Sequence, residues 1–129
     1  MADLIRSMTA AASGMDAQAT RLRLVSENLA NADTPGFQRK TISFEEVVNR
    51  HDARAVATGR IQLDDREFEE IYDPAHPLAD ARGVYQGSNV DMMIEIADAR
   101  EARRSYEANL RMFDQARDMV GALFDLLRR

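Results

Sequence analysis

Two long stretches of the chain repeat apolar residues at alternating spacings of four and three, the pattern of a helix with one buried face. The first stretch contains one polar member, Gln18, and five alanines between residues 10 and 19 favour helix. We predict a helix that ends near Asn31, because the residue before Pro35 is driven away from helical geometry. The other members of the repeat are Leu4, Met8, Ala11, Met15, Leu22, Val25 and Leu29.

The second stretch predicts another helix at the C-terminal end of the chain. Arg103 and Arg117 interrupt its repeat, and an alanine beside each can take over the apolar face. Asn89 or Asp91 is the predicted N-cap, because a short polar side chain can accept a hydrogen bond from a free backbone N–H there. The apolar members are Met92, Ile96, Ala99, Tyr106, Leu110, Phe113, Val120, Phe124 and Leu127.

The region between the helices has a weaker pattern and predicts short elements. Residues 37–44 alternate in part, which indicates extended chain. Ser43 and Glu46 have the spacing of a capping box, which predicts a short helix that includes Val47 and Val48. Two short strands and an ordered loop complete the predicted insert: Arg60–Asp64, Phe68–Tyr72 and Asp73–Gly83.

These elements predict a mainly α fold in three parts, with boundaries at 1–35, 36–90 and 91–129. Two long terminal heptad helices pair as an antiparallel coiled coil, and a small irregular or β-containing insert returns the chain between them. Two such helices leave apolar surface uncovered, which predicts packing against other copies or other chains. The predicted assembly seam consists of Met8, Met15, Leu22, Val25, Leu29, Ile96, Tyr106, Leu110, Phe113, Val120, Phe124 and Leu127.

Composition narrows the possible functions. The 129 residues carry a formal net charge of -5 and contain no cysteine, which excludes disulfides, thiolate nucleophiles and Cys-ligated zinc. Tryptophan is absent and aromatic residues make up only 6%, so neither phosphate-backbone binding nor base stacking is expected. No apolar run reaches the roughly 20 residues of a membrane span, and the first residues lack the pattern of a cleaved signal.

Candidate chemistry is sparse. His51 and His76 are the only histidines, and neither has the spacing of a metal-binding pair. The acidic run 64–70 lacks the turning glycine and the fixed ligand positions of a calcium loop. We predict no catalytic, cofactor-binding or metal site and no small-molecule substrate. Two alternatives to a structural role are a helical adaptor or chaperone and a small metal-dependent hydrolase that uses both histidines and the acidic run.

One cluster is denser in specific residues than an ordinary helix end requires. Two asparagines close the first helix, a proline and a glycine force a turn, and an aromatic residue follows. Pro35 and Gly36 fit the two central positions of a type II turn, and asparagine can bond the free carbonyls of a helix end. The sequence predicts a specifically shaped joint between helix and insert, formed by Asn28, Asn31, Thr34, Pro35, Gly36 and Phe37.

This cluster, with residues 12–15 and Gln18 upstream, resembles the N-terminal signature of bacterial flagellar basal-body rod proteins. Residues 72–80 are similar to the central segment of the short proximal-rod members of that family. Residues 89–91, Glu95, residues 97–98 and residues 104–109 are similar to the C-terminal signature of the same members. The resemblance runs in order from Met8 to Leu127.

The resemblance implies a structural, non-enzymatic subunit of the periplasmic rod, which transmits torque as a helical tube. Family members are exported through the flagellar type III apparatus without signal cleavage. The implied partners are copies of the chain itself, other rod proteins, the rod-base adaptor and the membrane ring.

Overall fold

The computed structural model describes residues 1–48 and 53–129. Two long helices enclose a small β-containing insert, as the sequence predicts. The helices contain 29 and 36 residues, so they are about 43 and 54 Å long at 1.5 Å per residue. The elements are α1 (Ala2–Ala30), β1 (Lys40–Val48), β2 (Arg54–Leu63), β3 (Glu70–Tyr72), β4 (Val84–Gln86) and α2 (Met92–Leu127).

The two helices pack side by side and run antiparallel. Near the middle of the pair, Gly14 of α1 lies against Asn109 of α2. A β-carbon at position 14 would come within 2.8 Å of the Asn109 side chain. Closer to the insert, Arg21 reaches Asp98 at 3.2 Å. The missing β-carbon therefore permits the close approach, and this explains a glycine that otherwise weakens the helix.

The helix boundaries agree with the predicted ones. α1 ends at Ala30, and Asn31 is its C-cap residue. At the start of α2, the Asp91 carboxylate accepts a hydrogen bond from the Met93 N–H at 3.0 Å. The N-cap is therefore Asp91, the second of the two candidates.

On the buried side of α2, two contact positions lie one residue before the predicted heptad positions. Most of its buried and half-buried residues lie at 95, 99, 102, 106, 109, 113, 116, 120 and 123, and residues 98, 105 and 114 are half-buried as well. Positions 99, 106, 113 and 120 were predicted, whereas Ala102 and Ala116 replace the arginines beside them. Small residues at the contact let the helices approach closely, so the larger apolar residues are displaced to the flank. The displaced residues are Ile96 (39% exposed), Leu110 (41%), Phe124 (53%) and Leu127 (76%).

The predicted positions of α1 are all covered at least in part. Val25 is buried. The others are half-buried: Leu4, Met8, Met15, Leu22 and Leu29. α1 is the central element because α2 packs on one side of it and the hairpin β1–β2 packs on another.

The short helix predicted from Ser43 and Glu46 is wrong, because both residues lie within strand β1. β1 pairs antiparallel with β2, which runs from Arg54 and is longer than the predicted strand 60–64. Pairing with a distant strand supplies the backbone hydrogen bonds that the local capping box would have offered. The hairpin rests on α1, where the Val56 N–H donates to Ser13 Oγ at 2.9 Å.

The second hairpin contains the ordered loop predicted over residues 73–83. β3 and β4 pair antiparallel on either side of it, and the Asp73 N–H donates to the Gly83 carbonyl at 2.9 Å. The Asp80 carboxylate accepts from the Val84 N–H at 3.1 Å and from the Arg82 N–H at 2.8 Å. These bonds lower the pKa of Asp80, with the Val84 N–H as the main cause.

No helix within residues 1–48 and 53–129 is long and apolar enough to cross a membrane.

Candidate functional site: the joint between the helices and the insert

The turn that follows α1 has the predicted shape. The Phe37 N–H donates to the Thr34 carbonyl at 3.1 Å, and Gly36 has a φ of 73°. Both features belong to a type II turn with proline and glycine at its centre. The Gly36 N–H also donates to the Gly87 carbonyl at 3.0 Å. This bond ties the turn to the segment that leads into α2.

Asn28 connects α1 to the first strand of the insert. Its side chain is almost fully buried. The amide oxygen accepts from the Lys40 N–H, and the amide nitrogen donates to the Lys40 carbonyl, both at 2.9 Å. Such a two-way bond fixes the side chain as a strand partner would. The nitrogen also lies 3.3 Å from Glu95 Oε2, which brings α2 into the same site.

Arg39 lies at the centre of the joint and binds three carboxylates. Its Nε donates to Glu95, whose side chain is fully buried. Its two terminal nitrogens reach Asp98 at 2.7 Å and Asp64 at 3.5 Å. Arg21 of α1 reaches the other oxygen of Asp98 at 3.2 Å. One guanidinium therefore joins α2 to the open end of the hairpin, where Arg39 precedes β1 and Asp64 follows β2. The bond from Arg21 extends the network back to α1.

Electrostatics favours the charged forms of Arg39 and Asp64. Burial by itself would lower the pKa of Arg39, but the Glu95, Asp98 and Asp64 carboxylates outweigh burial and raise that pKa above its usual value. The pKa of Asp64 is lowered, chiefly by its bonds from Arg66 and then by Arg39. A buried charge that keeps its partners is tolerated, whereas one that loses a partner is costly.

A second set of bonds closes the joint from the side of α2. The Asn89 side chain is buried; its oxygen accepts from the Arg39 N–H at 2.6 Å, and its nitrogen donates to the Asp64 and Arg66 carbonyls. The Ser88 hydroxyl donates to the Ala32 carbonyl just beyond α1. Ser88 and Asn89, in the segment that leads into α2, are thereby fixed to the end of α1 and to the residues that follow β2.

The predicted joint residues divide into an inner and an outer group. Asn28 is part of the buried network, and Phe37 is half-buried with its carbonyl accepting from the Asn89 N–H at 3.2 Å. Asn31 donates to the Glu27 carbonyl at 2.9 Å, which is the predicted bond to a helix-end carbonyl. The outer group shapes the turn and is exposed: Thr34, Pro35 and Gly36.

Sequence reasoning missed the central residues of the site. Arg39 has no local motif, and neither Glu95 nor Asp98 was predicted to take part in the joint. The position of Glu95 could have indicated this role. It lies seven residues before Ala102, on the side of α2 that carries the small residues. A carboxylate that shares the buried side of a helix with alanines needs a cationic partner, and Arg39 is that partner.

The site's polar groups are engaged with each other, so the joint acts as a brace. Within the described part of the chain, no group of three or more acidic or histidine side chains is arranged to hold a metal ion. His76 stacks on Tyr85 with ring centroids 3.8 Å apart, and its Nδ1 accepts from the Leu78 N–H. His51, the other histidine of the hydrolase alternative, lies outside the described residues.

Comparison with known proteins identifies the family. Residues 8–38 match the family of flagella basal body rod proteins, and residues 81–126 match the flagellar basal body rod FlgEFG protein C-terminal family. These ranges contain the turn and most of α2. The basal-body rod protein FlgC of Agrobacterium fabrum is 44% identical over 92% of this chain and 91% of its own length.

More distant bacteria have similar proteins. FlgC of Aquifex aeolicus is 36% identical over 97% of this chain and 98% of its own length. FlgC of Bacillus subtilis is 32% identical over 88% of this chain and 91% of its own length. Each similarity extends through the helices and the insert. The chain therefore belongs to the FlgC family of flagellar basal-body rod proteins.

Proposed function

We propose that the chain is a structural subunit of the proximal rod, in which the joint holds the insert at a fixed angle to the helix pair. Its membership of the FlgC family supports the structural role. The observation that supports the role of the joint is the network around Arg39 and Glu95. It bonds both helices and the hairpin through buried or half-buried charges, so a change of angle would break several charge-assisted bonds together.

The helix pair supplies the assembly surface. The apolar residues on the flank of α2 repeat at heptad spacing, and each keeps 39% or more of its surface exposed in the single chain. We propose that Ile96, Leu110, Phe124 and Leu127 pack against helices of neighbouring subunits, since apolar surface of this extent gains by burial. The helix pair then becomes part of a multi-helix coiled coil, and the predicted seam residues of α1 form its inner contacts.

The expected partners follow from this role. Other rod proteins and further copies of the chain pack against the helix pair, while the rod-base adaptor and the membrane ring meet the assembled subunits. The chain reaches the rod through the flagellar type III apparatus without cleavage, and it performs no catalysis. The rod role is favoured over the adaptor or chaperone role because the relatives described above are rod proteins.

Gly36→Val tests the role of the joint. A β-carbon at position 36 would meet no atom within 4 Å, so the substitution acts through the positive φ, at a cost of about 1 kcal/mol or more. The turn then changes and redirects the chain towards the insert. We expect cells that synthesise and export the variant but do not incorporate it into rods, and that do not swim.

Gly36→Asn is the matched control, because asparagine tolerates positive φ. Its cells should swim close to normally. Motility and the export of a later axial protein are measured for both variants. Normal swimming by the Gly36→Val cells would show that rod assembly does not depend on the shape of this turn.

A further inference from the structure

A row of arginines faces solvent along the middle of α2. None of them forms an ion pair within residues 1–48 and 53–129, and all are exposed. At 3.6 residues per turn they share the side of α2 opposite Ala102 and Asn109, which face α1. We call this row the arginine stripe; it consists of Arg100, Arg103, Arg104 and Arg111.

The charge of the arginine stripe is opposite in sign to the net charge of the chain. Its four arginines and the two glutamates between them, Glu101 and Glu107, give +2, whereas the chain carries -5. Further along the same helix, Arg117 is neutralised by Asp114 at 3.4 Å and Asp118 at 3.5 Å. Along α2 itself, the arginines that form no ion pair in the described chain are thus grouped in the middle of the helix.

A segment of the insert carries the complementary charge. Four exposed carboxylates, free of ion pairs in the described chain, lie between the end of β2 and the first residue of β3, and we call them the acidic segment: Asp65, Glu67, Glu69 and Glu70. The backbone here is held in place, because the Glu69 N–H donates to the Ser88 carbonyl and the Gly87 N–H donates to the Glu69 carbonyl at 2.8 Å. These carboxylates are therefore presented on a fixed backbone.

The two surfaces match in length. From position 100 to position 111, α2 rises about 16 Å at 1.5 Å per residue. The five residue steps from 65 to 70 span at most about 17 Å in extended chain. Arginine and carboxylate form bidentate, charge-assisted bonds when both face each other across an interface.

We propose that the arginine stripe of one subunit binds the acidic segment of a neighbouring copy of this chain. This inference rests on the proposed rod function and names the surfaces of one of its contacts. The contact joins two different patches, so it is heterologous and continues from copy to copy as an open helical array. A second copy is favoured over a nucleic acid or a lipid surface because the chain itself presents the complementary acidic segment on a fixed backbone.

Charge reversal and charge exchange test the contact. We expect Arg100→Glu with Arg104→Glu to lower incorporation into isolated basal bodies by about tenfold or more, since two attractions become repulsions. Asp65→Arg with Glu67→Arg should have the same effect. All four substitutions in one chain should restore incorporation, because every subunit then presents both reversed surfaces. Arg60→Glu, at an exposed arginine of β2, is the control and should leave incorporation unchanged.

Disulfide trapping gives an independent readout, because the natural chain has no cysteine. Ala108→Cys lies beside the stripe and Glu70→Cys lies at the end of the segment. When the two variants are produced together and oxidised, we expect a cross-linked dimer of one with the other. Arg60→Cys with Glu70→Cys is the control pair and should give little cross-linking.

Each alternative outcome overturns the proposal in its own way. If the chain with all four substitutions is not incorporated, the stripe binds a different rod protein. If the stripe variants instead lose binding to phosphatidylserine vesicles, the stripe is a lipid surface. Cross-linking at the control level in subunits that still enter rods would reject this contact and leave the rod function intact. Absence of the unmodified chain from isolated rods would reject the rod function itself.

Discussion

The two ends of the helix pair are built on opposite principles. At the joint, buried charges and amides from both helices and the hairpin are matched bond by bond around Arg39. At the other end, Leu4 of the first turn of α1 lies beside Met119 of α2. α2 then continues to Leu127 with Phe124 and Leu126 exposed. One end satisfies its own groups, and the other leaves apolar surface available.

The difference indicates how an assembling subunit divides its interactions. Buried polar networks are directional and tolerate one geometry, which suits a joint that must hold an angle. Apolar contacts are non-directional and proportional to buried area, which suits a surface that meets its partners only in the assembly. The joint can therefore hold one geometry in the single chain, whereas the apolar surface at the other end is stabilised only in the assembly.

Glu95→Ala should break the joint and have the largest effect on the isolated chain. It leaves Arg39 largely buried and without its closest carboxylate, and removing one partner of a buried ion pair costs about 3–5 kcal/mol. Urea denaturation followed by circular dichroism measures the change in the free energy of unfolding. Glu107→Ala, at an exposed position of the same helix that forms no ion pair with any described residue, should change it by less than about 0.5 kcal/mol. Equal effects would show that the network contributes no stability.

Gly14→Ala should have an intermediate effect and tests the close approach between the two ends. The new β-carbon would crowd the Asn109 side chain, at a cost of about 1–3 kcal/mol, of which the better helix propensity of alanine returns about 1 kcal/mol. Adding Asn109→Ala should relieve the crowding in a double-mutant cycle. Gly121→Ala is the control: it meets no atom within 4 Å and should stabilise the chain. A Gly14→Ala variant that is stabilised as much would refute a tight contact.

Phe124→Ser with Leu127→Ser should have the smallest effect on stability, although it changes the largest exposed side chains of the open end. Both residues are mostly exposed in the single chain, so the free energy of unfolding should shift by less than about 0.5 kcal/mol. Incorporation into rods should nevertheless fall sharply, because the apolar surface meant for neighbours is lost. Destabilisation comparable to that of Glu95→Ala would show that these residues pack within the chain, and normal rods would show that they pack nowhere.

Local chemistry made much of the fold predictable from the sequence. Apolar spacing located both helices, Pro35 placed the end of α1, and the short polar side chain of Asp91 placed the start of α2. These features depend on residues within one or two helical turns of each other, and such local interactions can be predicted from a single sequence. Gly36 is the same kind of case, since its positive φ follows from the turn alone.

The features that sequence reasoning missed depend on distant partners. Ser43 and Glu46 have the spacing of a helix start, but pairing with β2 overrides it. Ala102 and Ala116 were predicted as substitutes for the arginines beside them, but the exposure of the large apolar residues of α2 was missed, because it depends on how closely the two helices approach. Arg39 could not be recognised alone, since its three carboxylates come from segments 25 to 59 residues away.

The joint also sets the order in which the chain can fold. Its defining bonds join Asn28 and Arg39 to Glu95, across sequence separations of 67 and 56 residues. Contacts of such high sequence separation form late and slowly, because most of the chain must be ordered to close them. Since synthesis proceeds from the N-terminus, α1 and the hairpin emerge before Glu95 exists to fix them. Only a chain that has emerged past Glu95, in the first turn of α2, can therefore adopt the angle of the finished subunit.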